Sequence, residues 1–140
     1  MAANTSPIFP LTPVSTGLSV IASSAVTART AITGTTGLSL CFSAGANGSR
    51  IDTIIIQATG TTLAGLIDFW VYDGTTSRMV YEASVTVVTG STTTAGFNLA
   101  ISTTTFNGGV PLTLPSGSSL YASSQVASQL VGIITTGGNY

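Results

Sequence analysis

Turn-forming residues interrupt this chain roughly every ten positions, and between them apolar side chains alternate instead of recurring at helical spacing. No apolar period of 3.6 residues survives for more than about two turns; residues 123–130 come nearest. Evenly spaced short strands with no helical partner must cover one another. The pattern therefore predicts an all-β fold, an antiparallel β-sandwich of eight or nine strands. No repeat period emerges from the strand lengths, which argues against a propeller or solenoid.

The densest apolar material lies in residues 44–74, together with Trp70, the single tryptophan. Asn47-Gly48 and Asp73-Gly74 close its strands with residues that tolerate positive φ. In residues 50–59, alternation places Ile54, Ile56 and Ala58 on one face with Asp52, and Ile51 with Ile55 on the other. In residues 66–73, Ile67, Phe69 and Val71 alternate with Asp68, Trp70 and Tyr72. Both faces are apolar, so the two strands are expected at the centre of the sandwich. Residues 77–88 follow, with Met79, Tyr81, Ala83, Val85 and Val87 expected on one face. Further strands are expected at 18–23, 38–43, 97–101, 110–114, 120–126 and 130–135, with a weaker one at 29–33.

The first sixteen residues read differently. Pro7, Pro10 and Pro13 recur every three positions, the period of a polyproline II turn, with Ile8, Phe9, Leu11 and Val14 on the other edges. Proline excludes a helix here and fits a sheet only at its margin. The expected organisation is an extended N-terminal arm (1–16) ahead of a single sandwich domain (17–140). The arm could pack on its own domain or lie across a neighbouring subunit. The second is favoured, because its apolar residues would otherwise stand in water.

Composition bears on partners. Charged residues make up 5% of the chain, against about 25% in a typical soluble domain. Polarity comes instead from 43 Ser and Thr residues. A mean hydropathy of +0.55 argues against disorder. Seven charges leave most of a surface near 6,700 Å² uncharged, and an ordinary interface needs about 800 Å² per partner. Such a surface suits an assembly subunit. A net charge of −1 provides no basic footprint for nucleic acid or anionic membrane. No run of about 18 apolar residues suggests a transmembrane helix, and the N-terminus has no signal-peptide pattern.

Catalytic chemistry is hard to assemble from these residues. With no histidine there is no imidazole base or ligand, and with no lysine there is no Schiff base or phosphate-binding ammonium. Asp68 and Asp73 fall on opposite strand faces, whereas Asp52 and Asp68 could meet only across neighbouring strands. Arg50–Asp52 and Arg78–Glu82 read as same-face charge neighbours. Cys41 is alone in LSLCFS and reads as a buried, inert thiol. No enzyme, cofactor or metal site is expected. Asp68, Trp70 and Tyr72 share a face and could form a ligand platform that stacks a sugar, although core aromatics are the commoner use of such a pattern.

Four segments carry a family resemblance: MAANTSPIFPLTP, FSAGANGSRIDTI (42–54), PLTLPSGSSLYAS (111–123) and the terminal GGNY. Together they resemble the small β-sandwich proteins that decorate or cement the capsids of tailed bacteriophages. The resemblance implies a jelly-roll-like sandwich, usually a homotrimer, that bridges capsomers on the outer capsid surface of a virion. It would be made in the host cytoplasm, with the major capsid protein as partner. It implies no catalytic residue, no nucleic acid and no membrane. The assembly contacts would then fall on Pro7, Ile8, Phe9, Pro10, Leu11 and Pro13. Near-absent charge departs from ion-pair docking and favours apolar and backbone contacts. The alternatives are a head-fibre or tail-fibre module of lectin-like character, and a tail or head-completion subunit.

Overall fold

A computed structural model describes residues 12–140. They form eleven strands: β1 (Thr12–Ser15), β2 (Ser19–Val20), β3 (Ile32–Thr33), β4 (Ser39–Ser43), β5 (Ser49–Ala58), β6 (Gly65–Tyr72), β7 (Thr76–Val85), β8 (Asn98–Ser102), β9 (Leu112–Leu114), β10 (Ser119–Ser124) and β11 (Val131–Asn139). A 3-10 turn at Thr103–Thr105 is the one helical element among the described residues. Residues 123–130 hold a strand end and a turn, with Ser128 at φ 58.

Two antiparallel sheets face each other. Sheet A runs β1-β11-β5-β8, with β2 prolonging the β1 edge along β11 and β9 prolonging the β8 edge along β5. Sheet B runs β3-β7-β6-β10-β4. Without the short β2, β3 and β9, the eight remaining strands stand in chain order 1-8-3-6 in one sheet and 5-4-7-2 in the other. That is the order of a jelly roll, two Greek keys closed on each other. The all-β sandwich expected from strand spacing is the fold observed.

The strands expected as a central pair are both central, but in opposite sheets. Ile51, Ile54 and Ile56 of β5, with Val131 and Ile133 of β11, face Ile67 and Phe69 of β6 and Leu120 and Ala122 of β10. Each strand has a neighbour on either edge and the opposite sheet over one face.

Bulges explain where simple alternation fails. Along β5 and β11, Thr53 pairs with Thr136 and Ile51 with Gly137, so Asp52 is the extra residue. The bulge turns Ile51 inward beside Ile54, not outward beside Ile55 as strict alternation implied. A Cβ on Gly137 would collide with the Arg50 carbonyl, so the bulge depends on glycine there. A second bulge sits at Val80, because Phe69 pairs with Tyr81 but Trp70 with Met79. Tyr81, Ala83 and Val85 therefore line the core side while Met79 joins the outer face; Val87, beyond β7, is exposed. A third falls at Cys41 and buries both Cys41 and Phe42.

Of the expected arm, residues 1–11, including Pro7, Ile8, Phe9, Pro10 and Leu11, lie outside the described residues. Residues 12–15 are β1, an edge strand paired with β11 of the same chain. Pro13 is exposed in that edge strand, where its missing N–H disturbs no inner ladder. Thr16 continues the attachment: its N–H donates to Thr135 O at 2.9 Å, and its hydroxyl lies 2.8 Å from Thr135 Oγ1.

Candidate assembly surface

The seven charges are gathered into three places. Arg50 and Asp52 pair at the β5 bulge, with Nε–Oδ1 at 2.8 Å and a hydrogen bond from Nη2 to Oδ2 at 3.2 Å. Arg78 pairs with Asp73 at the tip of the β6–β7 hairpin. Asp73 also accepts from the N–H groups of Thr76 (2.8 Å) and Thr75 (3.0 Å). The Thr76 N–H, the Arg78 side chain and the Thr75 N–H hold its carboxyl down at about 2. Arg29 reaches Glu82 at 3.2 Å. The Arg78–Glu82 pairing expected from spacing does not form: the Val80 bulge separates the two, and each finds a partner in another element. Every arginine is thus matched within the chain, and Asp68 alone has no cation of its own.

Segments far apart in sequence meet at one end of the sandwich. The 44–49 turn packs against the 115–118 turn, since a Cβ on Gly48 (φ +89) would lie 2.9 Å from Leu114 O. Ala44 N–H donates to Ser118 O. Ser49 Oγ accepts from Gly45 N–H and donates to Asn139 Oδ1 at 2.6 Å. Tyr140 N–H closes on Gly48 O. β1 begins here, because Thr12 pairs with Asn139. Three of the segments that carry the family resemblance, 42–54, 111–123 and the terminal GGNY, therefore meet here beside Thr12 at the start of β1.

The outer face of sheet A mixes apolar and uncharged polar residues and is nearly chargeless. Core residues on β5 and β11 point inward, so Ile55 and Ile134 point outward, in one cross-strand row with Ala100 of β8. Val20 pairs with Gly132 on the neighbouring row and is 61% exposed. Leu18, 44% exposed, leans over Gly132 so closely that a Cβ there would lie 2.6 Å from its Cδ1. The remaining outward positions are Thr53, Gln57, Asn98, Ser102 and Thr136, with Arg50–Asp52 at one end. The sequence carried a signal for this surface, apolar residues on both faces of one strand, but not which sheet would hold it.

The other expected platform is closed. Asp68, Trp70 and Tyr72 do share the outer face of β6, yet Asp68 and Trp70 are fully buried there. Trp70 Nε1–H donates to Ser123 Oγ at 2.9 Å, and Tyr72 meets Tyr121 edge to face at 5.9 Å. In this arrangement neither Trp70 nor Asp68 can touch a sugar. Asp52 and Asp68 stand in different sheets, so no carboxylate pair forms between them. Cys41 is buried, and desolvation pushes its thiol up to about 12. Among the described residues no three acidic, Cys or His side chains gather as metal ligands, and no helix is long and apolar enough to cross a membrane.

No family model matches this chain, and no curated protein or solved structure matches it.

Proposed function

We propose that this protein is a structural subunit of a virion, decorating and cementing the outer surface of a tailed-phage capsid by packing its outer sheet A face against neighbouring protein. The carrying observation is the distribution of charge: three arginines are each paired internally, and the outer face of sheet A, with exposed Leu18 and Val20 and half-buried Ile55 and Ile134, carries no unpaired charge. A partner that buries such a face leaves no ion stranded on this side. The jelly-roll strand order and the meeting of three of the resembling segments beside the start of β1 support the same reading. In it, the major capsid protein and further copies of this chain, as a homotrimer, are the partners. Ile8, Phe9 and Leu11, ahead of β1, add apolar contacts on a neighbouring subunit. Many weak contacts suffice because a shell presents them at high copy number.

Ile134→Lys tests this. The side chain points away from the core, so the fold tolerates the change, and co-sedimentation with capsids should be lost. Retained binding by a folded Ile134→Lys variant overturns the role of this face.

A further inference from the structure

The lateral edges of the two open sheets are β1 and β8 in sheet A, and β3 and β4 in sheet B. An edge strand presents backbone N–H and C=O groups that another chain can pair with, and folds usually blunt it with proline, charge, a bulge or short length. Three of these edges are blunted. Thr16 N–H donates to β11, so by alternation the missing N–H of Pro13 falls on the outward side of β1. β3 is two residues long. β4 is bulged at Cys41 and has Ala22 N–H bonded to its Ser39 Oγ at 2.8 Å.

β8 has none of these devices. Asn98–Ser102 runs in unbroken register with β5 and holds no proline and no charge; indeed no charged residue follows Glu82 in the chain. Ala58 N–H donates to Phe97 O, so the register turns the backbone groups of Leu99 and Ile101 to β5. Those of Asn98, Ala100 and Ser102 face outward. Among the described residues, no backbone pairs with that outer edge.

We infer that β8 pairs antiparallel with β8 of a second copy, about a two-fold axis through Ala100. Ala100 is the middle residue of the strand and then faces itself, while Asn98 faces Ser102 of the partner and Leu99 faces Ile101. The outward groups of the two strands supply about six hydrogen bonds. On the outer face the opposed side chains are small and uncharged. On the inner face half-buried Leu99 meets buried Ile101, so apolar side chains continue across the seam.

A second copy is the occupant this edge fits. With one open edge per chain, pairing uses both and closes at two copies, whereas a head-to-tail contact would need a second open edge that the chain lacks. The cross-strand row of Ile134, Ile55 and Ala100 reaches the seam and continues into its symmetry mate, which widens the outer face of sheet A. The edge spans only about 17 Å, short of a standard interface, so concentration drives the pairing. This contact does not rest on capsid attachment, and the contacts of a homotrimer would use other surfaces.

Sedimentation equilibrium of the full chain, with no capsid present, tests it. The wild type should associate as its concentration rises. Ala100→Pro removes an N–H at the two-fold axis and no bond to β5, so it should stay folded and lose the association. Ala100→Lys and Ala100→Glu each set like charges opposite one another and should weaken association about fivefold. Mixed in equal amounts, they set opposite charges face to face and should recover at least the wild-type level. A wild type that stays monomeric at about 1 mM overturns the pairing. So does association that survives Ala100→Pro unchanged, since it belongs to another surface. Should Ala100→Pro not fold, the charged pair decides: a mixture that associates no better than its components overturns the proposal.

Discussion

Thr103→Val is the sharpest probe of how the sandwich is tied together. Thr103 is fully buried in the 3-10 turn after β8. Its Oγ1 donates to Ile51 O at 2.6 Å and accepts from Leu112 N–H at 3.0 Å. One hydroxyl thus serves an acceptor on β5 and a donor on β9, at the position where the two strands pair. Valine has nearly the same shape, so no cavity opens. The change instead leaves Leu112 N–H buried without its partner and deprives Ile51 O of a donor. An unsatisfied buried group costs about 1–3 kcal/mol, so the expected loss is about 2–4 kcal/mol. Unfolding entropy near 2.1 cal/mol/K per residue makes this a Tm drop of roughly 7–14 °C for a chain of this length. Urea unfolding followed by Trp70 emission, at one fixed protein concentration because assembly shifts apparent stability, gives the difference directly. Thr105→Val is the exposed control and should stay within about 0.5 kcal/mol. A Thr103→Val loss no larger than that of the control would refute the shared-hydroxyl reasoning.

Three further outcomes are expected. Gly137→Ala forces a Cβ onto the Arg50 carbonyl at the Asp52 bulge and should cost about 3 kcal/mol or more in a thermal melt; Gly17→Ala, with open space around it, should be nearly silent. Asp68→Asn should stabilise the whole fold at pH 8 by up to about 3 kcal/mol, because the native carboxyl is raised and its ionisation opposes folding there. That advantage should fade between pH 6 and pH 4, and equal gains in denaturant unfolding at both ends would contradict the sign. Cys41 should resist thiol reagents at pH 8 in the native state and react once denatured, so rapid native labelling would show that the Cys41 bulge opens.

Much of the fold was legible because turn chemistry and alternation are local. Gly48 and Gly74 take positive φ where Asn-Gly and Asp-Gly marked turns, and period two identified the principal strands. What escaped was non-local or unmarked. A bulge adds one residue with no compositional sign, so Ile51 and Met79 were assigned to the wrong faces. Arg29 and Glu82 are separated by the whole of β4, β5 and β6, and nothing in their neighbourhoods announces the pair. Trp70 was expected in the core and is buried, but on the outer face of sheet B with its Nε1–H on Ser123 Oγ, a position that alternation cannot distinguish. The outward row of Ile55 and Ile134 became visible as a surface only once β5 and β11 were neighbours in one sheet.

Assembly through this face is tested most directly by a reconstruction of phage particles that carry this chain, at a resolution where the two sheets separate. The expected density lies on the outer capsid surface, with Ile55 and Ile134 against neighbouring protein and the jelly roll bridging capsomers. Density confined to the tail or a fibre, or a capsid position with that face turned to solvent, would contradict it.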